Sequence, residues 1–401
     1  MKQSNLWIGG QHVEPSGGDY FDDINPSDQS VIAKVAKGSA SDIDKAVGAA
    51  TEAFQAFSRT QAKEREKILC DAASIVERDK EEYLGLLIEE VGSPVMKAQF
   101  EVDYCINAFR AAAGVPRRLT GETMPLDRPG AFGMSVREPV GVIACITPFN
   151  VPLLKNVKQI AMVIATGNTS VLLPSEFATQ VTVKFAETLD EAGLPGGVFN
   201  YVTGDPFDIG DVLTSHPSVA AVNFCGSPVI GKRVAEIAAK DLKPITLELG
   251  GKSPLVVLDD ADLEKAIEAA TIGIFFFQGQ ACMASSRIIL QSGIAPSFID
   301  AFTDVARNIK VGDLSDPETA IGPIISERQA NRIRMHIDDA VDKGATLLHG
   351  GNKWKGQCCP PTILTDVKEG MTVFREETFG PVTSIYTVDT LEEALTLAND
   401  T

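Results

Sequence analysis

The segment GVIACI at residues 141–146 begins a series of short apolar runs rich in β-branched residues. The series continues with TSVLL at 169–173, VFNYV at 198–202, AAVNF at 220–224, PITLEL at 244–249 and PLVVL at 254–258. Amphipathic segments of helical periodicity, such as 178–192 and 228–239, separate these runs. Because strands buried on both faces of a parallel sheet are apolar throughout, the alternation predicts an α/β fold in which helices cover a parallel sheet.

The pattern changes on either side of this region. Near the N-terminus, Trp7-Ile8 and His12-Val13 flank the turn dipeptide Gly9-Gly10 and predict a hairpin. Apolar residues three and four apart predict helices over 41–57, 61–79, 80–92 and 96–113. The segment GAFGMSVREPVGV at 130–142 predicts a β-hairpin arm, and a second α/β unit is expected from about Gly250 onward.

The composition is that of a folded, enzyme-sized chain. A chain of 401 residues is too long to fold around one ordinary hydrophobic core, so two or three packed units are expected. Hydrophobic residues make up 44% and charged residues 22%, which is a globular balance. The net charge of -18 would repel phosphate backbones and anionic lipids, which argues against a nucleic-acid or membrane partner.

Location and metal content are also constrained by the sequence. The start, MKQSNLWIGGQHVEPSGG, has no apolar core of signal-peptide length, and no apolar stretch reaches membrane-spanning length, so a cytoplasmic location is expected. The seven cysteines are scattered and odd in number, which favours reduced thiols. The four histidines show no metal-ligand spacing with them, so no metal is expected.

A candidate nucleophile lies in FFFQGQACMASSR at 275–287, where Cys282 follows Gly279-Gln280 and precedes small residues. A thiol exposed at such a strand-to-loop transition, beside backbone N–H groups, suits nucleophilic catalysis. A buried structural cysteine is the commoner role for a cysteine in an apolar run, and the remaining motifs have to decide between the two.

A candidate general base is Glu248 in PITLEL, which shares a strand face with Thr246 and is followed by Gly250-Gly251. A carboxylate at the end of a buried strand is costly unless it is used or paired. The alternative is a solvent-facing glutamate at a strand end.

A candidate oxyanion donor is Asn150 in ITPFNVPLL, since Pro148 and Pro152 stiffen the turn around it. An ordinary turn asparagine is the alternative.

A candidate phosphate site lies in FCGSPVIGKRV at 224–234. Gly226, Ser227 and Gly231 fall between a strand and a helix, where N–H groups at the helix start can receive a diphosphate. The signal is weak alone, because such glycines often only permit tight packing, and it is not the GxGxxG fingerprint.

Seven segments together resemble the aldehyde dehydrogenase superfamily over essentially the whole chain. They are, in order, PFN (148–150), GNTSVLLPSE (167–176), LPGGVFN (194–200), FCGSPVIG (224–231), LELGGKSP (247–254), QGQACMAS (278–285) and EETFGPV (376–382). The resemblance implies that Cys282 attacks an aldehyde carbonyl, that Asn150 and the cysteine N–H hold the oxyanion, and that Glu248 activates water to hydrolyse the resulting thioester.

The resemblance also implies a bound NAD, with NADP as the alternative. Glu176 would bind the adenosine ribose hydroxyls, Gly226, Ser227 and Gly231 the diphosphate, and Glu377 and Phe379 the nicotinamide ribose and ring. The remaining implied cofactor contacts are Ile146, Thr147, Pro148, Phe149, Ser175, Gly210, Phe224, Leu249 and Gly250.

Two positions depart from the family pattern. Leu173 replaces a lysine that donates to the adenosine ribose, so weaker cofactor binding is expected; NAD is still favoured because Glu176 would oppose a 2′-phosphate. Phe277 replaces an asparagine that many members have near the reactive centre.

The implied domain plan has three parts. Residues 1–117 and 140–248 would form the cofactor-binding domain, 118–139 an oligomerisation arm, and 249–401 the catalytic domain. Family members continue for several dozen residues beyond LEEALTLANDT. We therefore expect an incomplete catalytic domain, a poorly active, monomeric or aggregation-prone 401-residue chain, and a homodimer or homotetramer when the family's tail is present.

Softer likenesses point to benzaldehyde- and vanillin-type dehydrogenases, through DRPGAFGMSVREPVGVI at 127–143, Lys158 and QGQACMASSRII. Phe149, Phe276 and Phe277 would suit an aromatic substrate or equally be core aromatics. The rival functions are a CoA-acylating semialdehyde dehydrogenase, a branch that typically lacks the hydrolytic glutamate, a cofactor-free esterase, and a non-catalytic protein with the same fold.

Overall fold

The computed structural model describes residues 2–401, which form two compact units. The first unit comprises the residues up to Ile24 together with 31–86 and 99–248. The second comprises 25–30, 87–98 and 249–401. Two short segments of the N-terminal region therefore group with the second unit, whereas the sequence places all of residues 1–117 in the cofactor-binding part.

Helices and strands alternate through most of the described chain. The strands are β1 (Lys2–Ser4), β2 (Leu6–Ile8), β3 (Gln11–Val13), β4 (Tyr20–Ile24), β5 (Val31–Ala36), β6 (Glu122–Met124), β7 (Gly133–Ser135), β8 (Val142–Ile146), β9 (Thr169–Leu173), β10 (Phe199–Tyr201), β11 (Val219–Gly226), β12 (Ile245–Leu249), β13 (Pro254–Val257), β14 (Arg287–Gln291), β15 (Thr346–His349), β16 (Thr362–Thr365) and β17 (Val382–Val388). The helices are α1 (Ala40–Phe57), α2 (Ala62–Arg78), α3 (Lys80–Val91), α4 (Val95–Ala113), α5 (Pro152–Ala165), α6 (Thr179–Glu191), α7 (Pro206–Ser215), α8 (Pro228–Ala239), α9 (Leu263–Phe275), α10 (Ala295–Asn308), α11 (Glu327–Asp342), α12 (Thr372–Arg375) and α13 (Leu391–Asn399).

The first unit is built on a seven-stranded sheet of order β12-β11-β8-β9-β10-β2-β3. β8 pairs in parallel with both β9 and β11, and β9 pairs in parallel with β10. Every residue of β8 and β9 is buried, which explains why β8 is apolar throughout and why β9 is apolar except for Thr169 and Ser170 at its start. The α/β class with a parallel sheet under helices is thereby confirmed.

Antiparallel pairs complete the first unit. β2 and β3 form the predicted hairpin, with both Gly9 and Gly10 at positive φ in its turn. β6 and β7 form the arm, in which Phe132 and Met134 are exposed. A separate sheet of order β1-β5-β4 was not predicted from the sequence.

The second unit is built on a five-stranded sheet of order β13-β14-β17-β16-β15. The two faces of β14 enter different cores: Ile288 packs in a cluster with Phe298 of α10, and Ile289 packs in a cluster with Ile333 of α11. Helices therefore cover both faces of this sheet, as the apolar runs predict. Among residues 2–401, no helix is long and apolar enough to cross a membrane.

A buried arginine fastens the last helix to the second sheet. Arg287, at the start of β14, is 1% exposed, and burial lowers the pKa of its guanidinium. Its Nη1 donates to the carbonyl of Leu397 at 2.8 Å and its Nη2 to that of Ala398 at 2.9 Å, which satisfies carbonyls at the end of α13. Its Nε donates to the Lys252 carbonyl at 2.9 Å. One cation thus holds a helix end, a strand and the loop before β13.

Arg287→Met should lower the free energy of unfolding by about 2–4 kcal/mol, because three charge-assisted hydrogen bonds are lost and buried carbonyls lose their donors. Urea unfolding followed by circular dichroism measures the change. Arg307→Met is the matched control: Arg307 is exposed and pairs with Asp304 one turn away, so a change within about 0.5 kcal/mol is expected. If both variants lose the same free energy of unfolding, the hydrogen bonds of Arg287 do not stabilise the second unit.

Candidate active site

The strand order of the first unit reverses direction at β8. From β8 the chain proceeds to β9 on one side, whereas β11 lies on the other side of β8. Ligands of parallel α/β sheets bind outside the carboxyl ends of the strands at such a point. The residues that follow β8 there are Thr147, Pro148, Phe149 and Asn150, and Ser227 follows β11.

The turn that carries Asn150 is supported by a chain of buried polar groups. Thr147 Oγ1 donates to Asn156 Oδ1 at 2.9 Å, and Asn156 Nδ2 donates to Thr182 Oγ1 at 3.1 Å. The Thr147 N–H donates to the Leu173 carbonyl at 3.1 Å, which ties the turn to β9. Asn150 itself is 4% exposed. A buried amide on a turn whose first residue is anchored in this way suits the role of an oxyanion donor.

The helix after β11 begins with a capped N-terminus. Ser227 Oγ accepts a hydrogen bond from the Ile230 N–H at 3.4 Å, and the Ser227 carbonyl accepts from the Gly231 N–H at 2.9 Å. A Cβ on Gly226 would lie 2.7 Å from the Phe224 ring, so a larger residue there would have to displace the ring. The N-terminus of α8 offers the positive end of a twelve-residue helix, which fits a diphosphate.

The loop after β9 supplies a carboxylate on the same edge of the sheet. Ser175 Oγ donates to Glu176 Oε2 at 3.3 Å, which orients the carboxylate. Leu173, at the end of β9, is 1% exposed and lies against Gly210 of α7. The position that departs from the family's lysine is therefore a buried packing position in this chain.

Glu248 lies on β12, an edge strand whose residues alternate between half-buried and exposed. The expectation of a strand buried on both faces is wrong here, because β12 has a partner on one side only. The Glu248 side chain is 59% exposed, and its Oε2 lies 3.4 Å from the Nζ of Lys155, which is 9% exposed. The lysine is the fixed member of this pair, and the carboxylate keeps access to water.

Cys282 lies in a tight segment of the second unit that we call the cysteine turn, residues 277–284. Three consecutive residues at its start, Phe277, Gln278 and Gly279, have φ between 50° and 65°. Left-handed backbone at non-glycine residues is unfavourable and has to be held by its surroundings. Gln278 Nε2 does so by donating to the carbonyls of Gly92 at 2.9 Å and Pro323 at 3.0 Å.

Exposure distinguishes Cys282 from the other cysteines. Cys282 is half-buried, whereas Cys105, Cys145, Cys225, Cys358 and Cys359 are buried. Burial raises the pKa of Cys145 to about 12 and raises the pKa of Cys358 and Cys359, so these thiols remain protonated at neutral pH. Cys70 is exposed on the surface of α2. The cysteine turn therefore presents an accessible thiol in a constrained backbone, which suits a nucleophile.

Phe277 is buried, and its ring face is covered by the Lys97 Nζ at 4.1 Å from the ring centre. This cation–π contact stabilises a buried lysine that also donates to Ser93 Oγ at 3.0 Å. Phe277 is accordingly a packing residue. Phe149, in the first unit, is partly exposed and makes an edge-to-face contact with Phe177.

The second unit also contains the segment EETFGPV, residues 376–382, which we call the Glu377 loop. Its Glu377 carboxylate packs directly against Gly250, where any Cβ would collide with it. Burial raises the pKa of Glu377, and a hydrogen bond from the Gly251 N–H opposes this rise. Phe379 has φ +56°. A fixed carboxylate beside glycines fits the binding of ribose hydroxyls.

The predicted residues are divided between the two units. The first unit holds Ile146, Thr147, Pro148, Phe149, Asn150, Ser175, Glu176, Gly210, Phe224, Gly226, Ser227, Gly231 and Glu248. The second holds Leu249, Gly250, Cys282, Glu377 and Phe379. A cleft in the second unit is lined by Gly251, Ala281, Ser286, Glu377 and Phe379, so it brings the cysteine turn and the Glu377 loop together.

Three lysines that contact or lie near predicted residues within their own units were not predicted from the sequence. Lys155 pairs with Glu248, Lys97 lies over Phe277, and Lys252 is 5% exposed near Glu377. Burial, with the charge of Arg287, lowers the pKa of Lys252 to about 8. Lys155 could have been noticed in the sequence, because it is a lysine in the otherwise apolar first turn of α5. Among residues 2–401, no cluster of three His, Cys, Asp or Glu side chains could hold a metal ion.

Comparison with known proteins identifies the fold and the family. The aldehyde dehydrogenase family model matches residues 12–401. The vanillin dehydrogenase of Pseudomonas fluorescens is 39% identical over 98% of this chain and 82% of its own. The salicylaldehyde dehydrogenase of Pseudomonas putida G7, solved with salicylaldehyde, is 36% identical with a TM-score of 0.97 over 100% of this chain and 84% of its own.

A third similar structure is an NAD-dependent aldehyde dehydrogenase from Sinorhizobium meliloti, which is 36% identical with a TM-score of 0.97 over 100% of this chain and 81% of its own. These similarities extend over nearly the whole chain and include the segments that carry Asn150, Glu248 and Cys282. The chain belongs to the aldehyde dehydrogenase family, whose members are oxidoreductases that act on aldehydes.

Gly279→Ala should disrupt the cysteine turn, because Gly279 has φ +65° and a Cβ there would collide with the Gly380 carbonyl oxygen. We expect a loss of roughly 2 kcal/mol or more in unfolding free energy and a changed rate of Cys282 alkylation by iodoacetamide. Gly344→Ala is the control, since Gly344 has φ +98° but no atom lies within 4 Å of its added Cβ. If the two variants lose the same stability, the contact with Gly380 has no effect beyond backbone strain.

Proposed function

We propose that this chain oxidises an aromatic aldehyde to its carboxylic acid with NAD, through a thioester on Cys282. The observation that carries the proposal is the cysteine turn, in which a half-buried thiol lies in a backbone constrained by the left-handed run that precedes it. Family membership supports the aldehyde as substrate class. The aromatic preference is supported by similarity to vanillin and salicylaldehyde dehydrogenases.

The covalent steps use groups of the chain itself. The Cys282 thiolate adds to the aldehyde carbon, and the carbonyl oxygen becomes an oxyanion that accepts a hydrogen bond from the Asn150 amide. When bound beside Glu377 and Phe379, NAD would supply the acceptor for the hydride that leaves the thiohemiacetal carbon, and loss of that hydride converts the thiohemiacetal to a thioester. Glu248 then takes a proton from water, the hydroxide attacks the thioester carbon, and the acid leaves with regeneration of the thiolate.

The residues proposed to hold NAD suit its chemistry. The N-terminus of α8 with Ser227 would receive the diphosphate, and Glu176 would accept hydrogen bonds from the adenosine ribose. The Glu176 carboxylate would repel a 2′-phosphate, so NAD is preferred over NADP. The buried Leu173 provides no charged donor to the ribose, so adenosine binding relies on the remaining contacts.

Glu248 is the reason to prefer hydrolysis over acyl transfer to CoA. Its carboxylate is 59% exposed and lies 3.4 Å from the buried Lys155, so it combines access to water with a nearby cation. A non-catalytic role would leave unexplained why Cys282, Glu248 and Asn150 are all present.

The test of the reaction is a panel of aromatic, aliphatic and acidic aldehydes, with NADH formation reported as kcat/KM. Aromatic aldehydes should exceed the others by about ten-fold or more, and NAD should be preferred to NADP. Cys282→Ala should abolish turnover because the thiolate is lost, whereas Cys70→Ser, which changes an exposed cysteine on α2, should retain it. Turnover by Cys282→Ala would rule out the covalent mechanism.

Glu248→Gln should release about one equivalent of NADH per active site and then stall, because thioester hydrolysis needs the base. Stopped-flow absorbance at 340 nm measures this burst, and mass spectrometry detects the acylated Cys282. Lys155→Met retains the carboxylate but removes its partner, so a smaller fall in steady-state rate is expected. Absence of both burst and acyl-enzyme in a folded Glu248→Gln protein would contradict the assigned role.

A further inference from the structure

One face of α11 makes a set of contacts with the Glu377 loop that the proposed mechanism does not use. Gln329, Arg332 and His336 recur at spacings of three and four, which places them on the same side of the helix. Gln329 Nε2 donates to the carbonyls of Thr378 and Phe379, each at 2.9 Å. These contacts lie within the second unit.

Arg332 and His336 extend the same contact along the loop. Arg332 Nη2 donates to the Glu377 carbonyl at 3.0 Å and lies 3.3 Å from Glu376 Oε2. His336 Nδ1 lies 3.1 Å from Thr378 Oγ1. Every residue from Glu376 to Phe379 is therefore bound by a side chain of α11.

The loop needs such support because Phe379 has φ +56°, a left-handed conformation that is unfavourable for a non-glycine residue. Gln329 binds the carbonyls on both sides of the Phe379 N–Cα–C unit, and so fixes the two peptide planes that define this conformation. A Cβ on Gly380 would collide with Ile333 of α11, which shows how closely loop and helix approach. The helix therefore sets the position of the loop.

His336 is fully buried. Burial, together with the charges of Arg332 and Lys252, lowers the pKa of His336 to about 4. The imidazole is therefore neutral at physiological pH, and a neutral ring can keep a stable hydrogen bond to a hydroxyl without bringing a buried charge.

We infer that Gln329 and His336 are positioning residues that hold the Glu377 loop ready to receive the nicotinamide half of the dinucleotide. This inference rests on the proposed function, because that function assigns Glu377 and Phe379 to the nicotinamide ribose and ring. Neither Gln329 nor His336 needs to touch the cofactor. Gln329 and His336 act on cofactor binding indirectly, by holding the carbonyls of the Glu377 loop and the hydroxyl of Thr378 in place.

The test separates the two halves of the cofactor by binding, without turnover. Dissociation constants for NADH and for ADP are measured by fluorescence and calorimetry on the whole chain. ADP lacks the nicotinamide riboside, so it reports binding that does not involve the Glu377 loop. Gln329→Met and His336→Leu should each weaken NADH binding by about ten-fold, the effect of losing one or two hydrogen bonds, and should leave ADP binding within about two-fold.

Two further variants complete the design. His336→Asn places an amide near the position of Nδ1 and should recover most of the NADH affinity. Met335→Leu changes an exposed residue of the same helix and should bind both ligands as the unmodified chain does. Equal weakening of NADH and ADP in Gln329→Met and His336→Leu would indicate a general structural defect and overturn the inference, as would unchanged NADH binding.

Glu377→Gln distinguishes a failure of the inference from a failure of the proposed function. If Glu377→Gln weakens NADH binding while the two α11 variants do not, the loop binds the cofactor but α11 does not position it. If Glu377→Gln also leaves NADH binding unchanged, the nicotinamide role of the loop is wrong, and the inference fails with it.

Discussion

The first unit depends on the parallel pairing of β8 with a strand on each side. All five residues of this strand are buried, and β9 and β11 satisfy its backbone from opposite edges. Because the neighbouring strands run in the same direction, each must be reached through a helix, and the loops at the carboxyl ends gather on one edge of the sheet. The turn with Asn150, the loop with Glu176 and the start of α8 lie on that edge for this reason.

The second unit depends on places where two segments of the backbone approach each other closely. Gly279 and Gly380 meet where a side chain on Gly279 would collide with a carbonyl, and Gly380 in turn lies against Ile333 of α11. The cysteine turn, the Glu377 loop and α11 are therefore packed through glycine positions at which an added Cβ would force its neighbours to move. A change at Gly279 therefore affects the backbone that precedes Cys282, since protein interiors are too densely packed to absorb it.

Much of this arrangement could be predicted because the fold is encoded in periodicity. The buried strand β8 is recognisable as an uninterrupted apolar run and β9 as a mainly apolar one, and α1 to α4 begin and end within one residue of their predicted bounds. What could not be predicted depends on tertiary contacts. The exposure of β12 follows from its edge position, the burial of Leu173 from its contact with α7, and the pairing of β1 with β5 from residues about thirty positions apart. The α11 contacts likewise join residues more than forty positions apart.

Glu377 and Glu248, the two carboxylates with proposed roles in binding and hydrolysis, have different surroundings. These surroundings suit them to different roles, although the sequence alone does not distinguish the two glutamates. Glu377 is partly buried, accepts the Gly251 N–H, and has a raised pKa because burial disfavours its charge. Such a group is suited to hold hydroxyls in a fixed place, since few competing waters reach it. Glu248 is more than half exposed and is tethered to a lysine that is itself buried. A base that must take its proton from water has to remain in contact with water, and the edge position of β12 provides that contact. The exposure that contradicts the expectation of a buried strand is therefore what makes Glu248 suitable for hydrolysis.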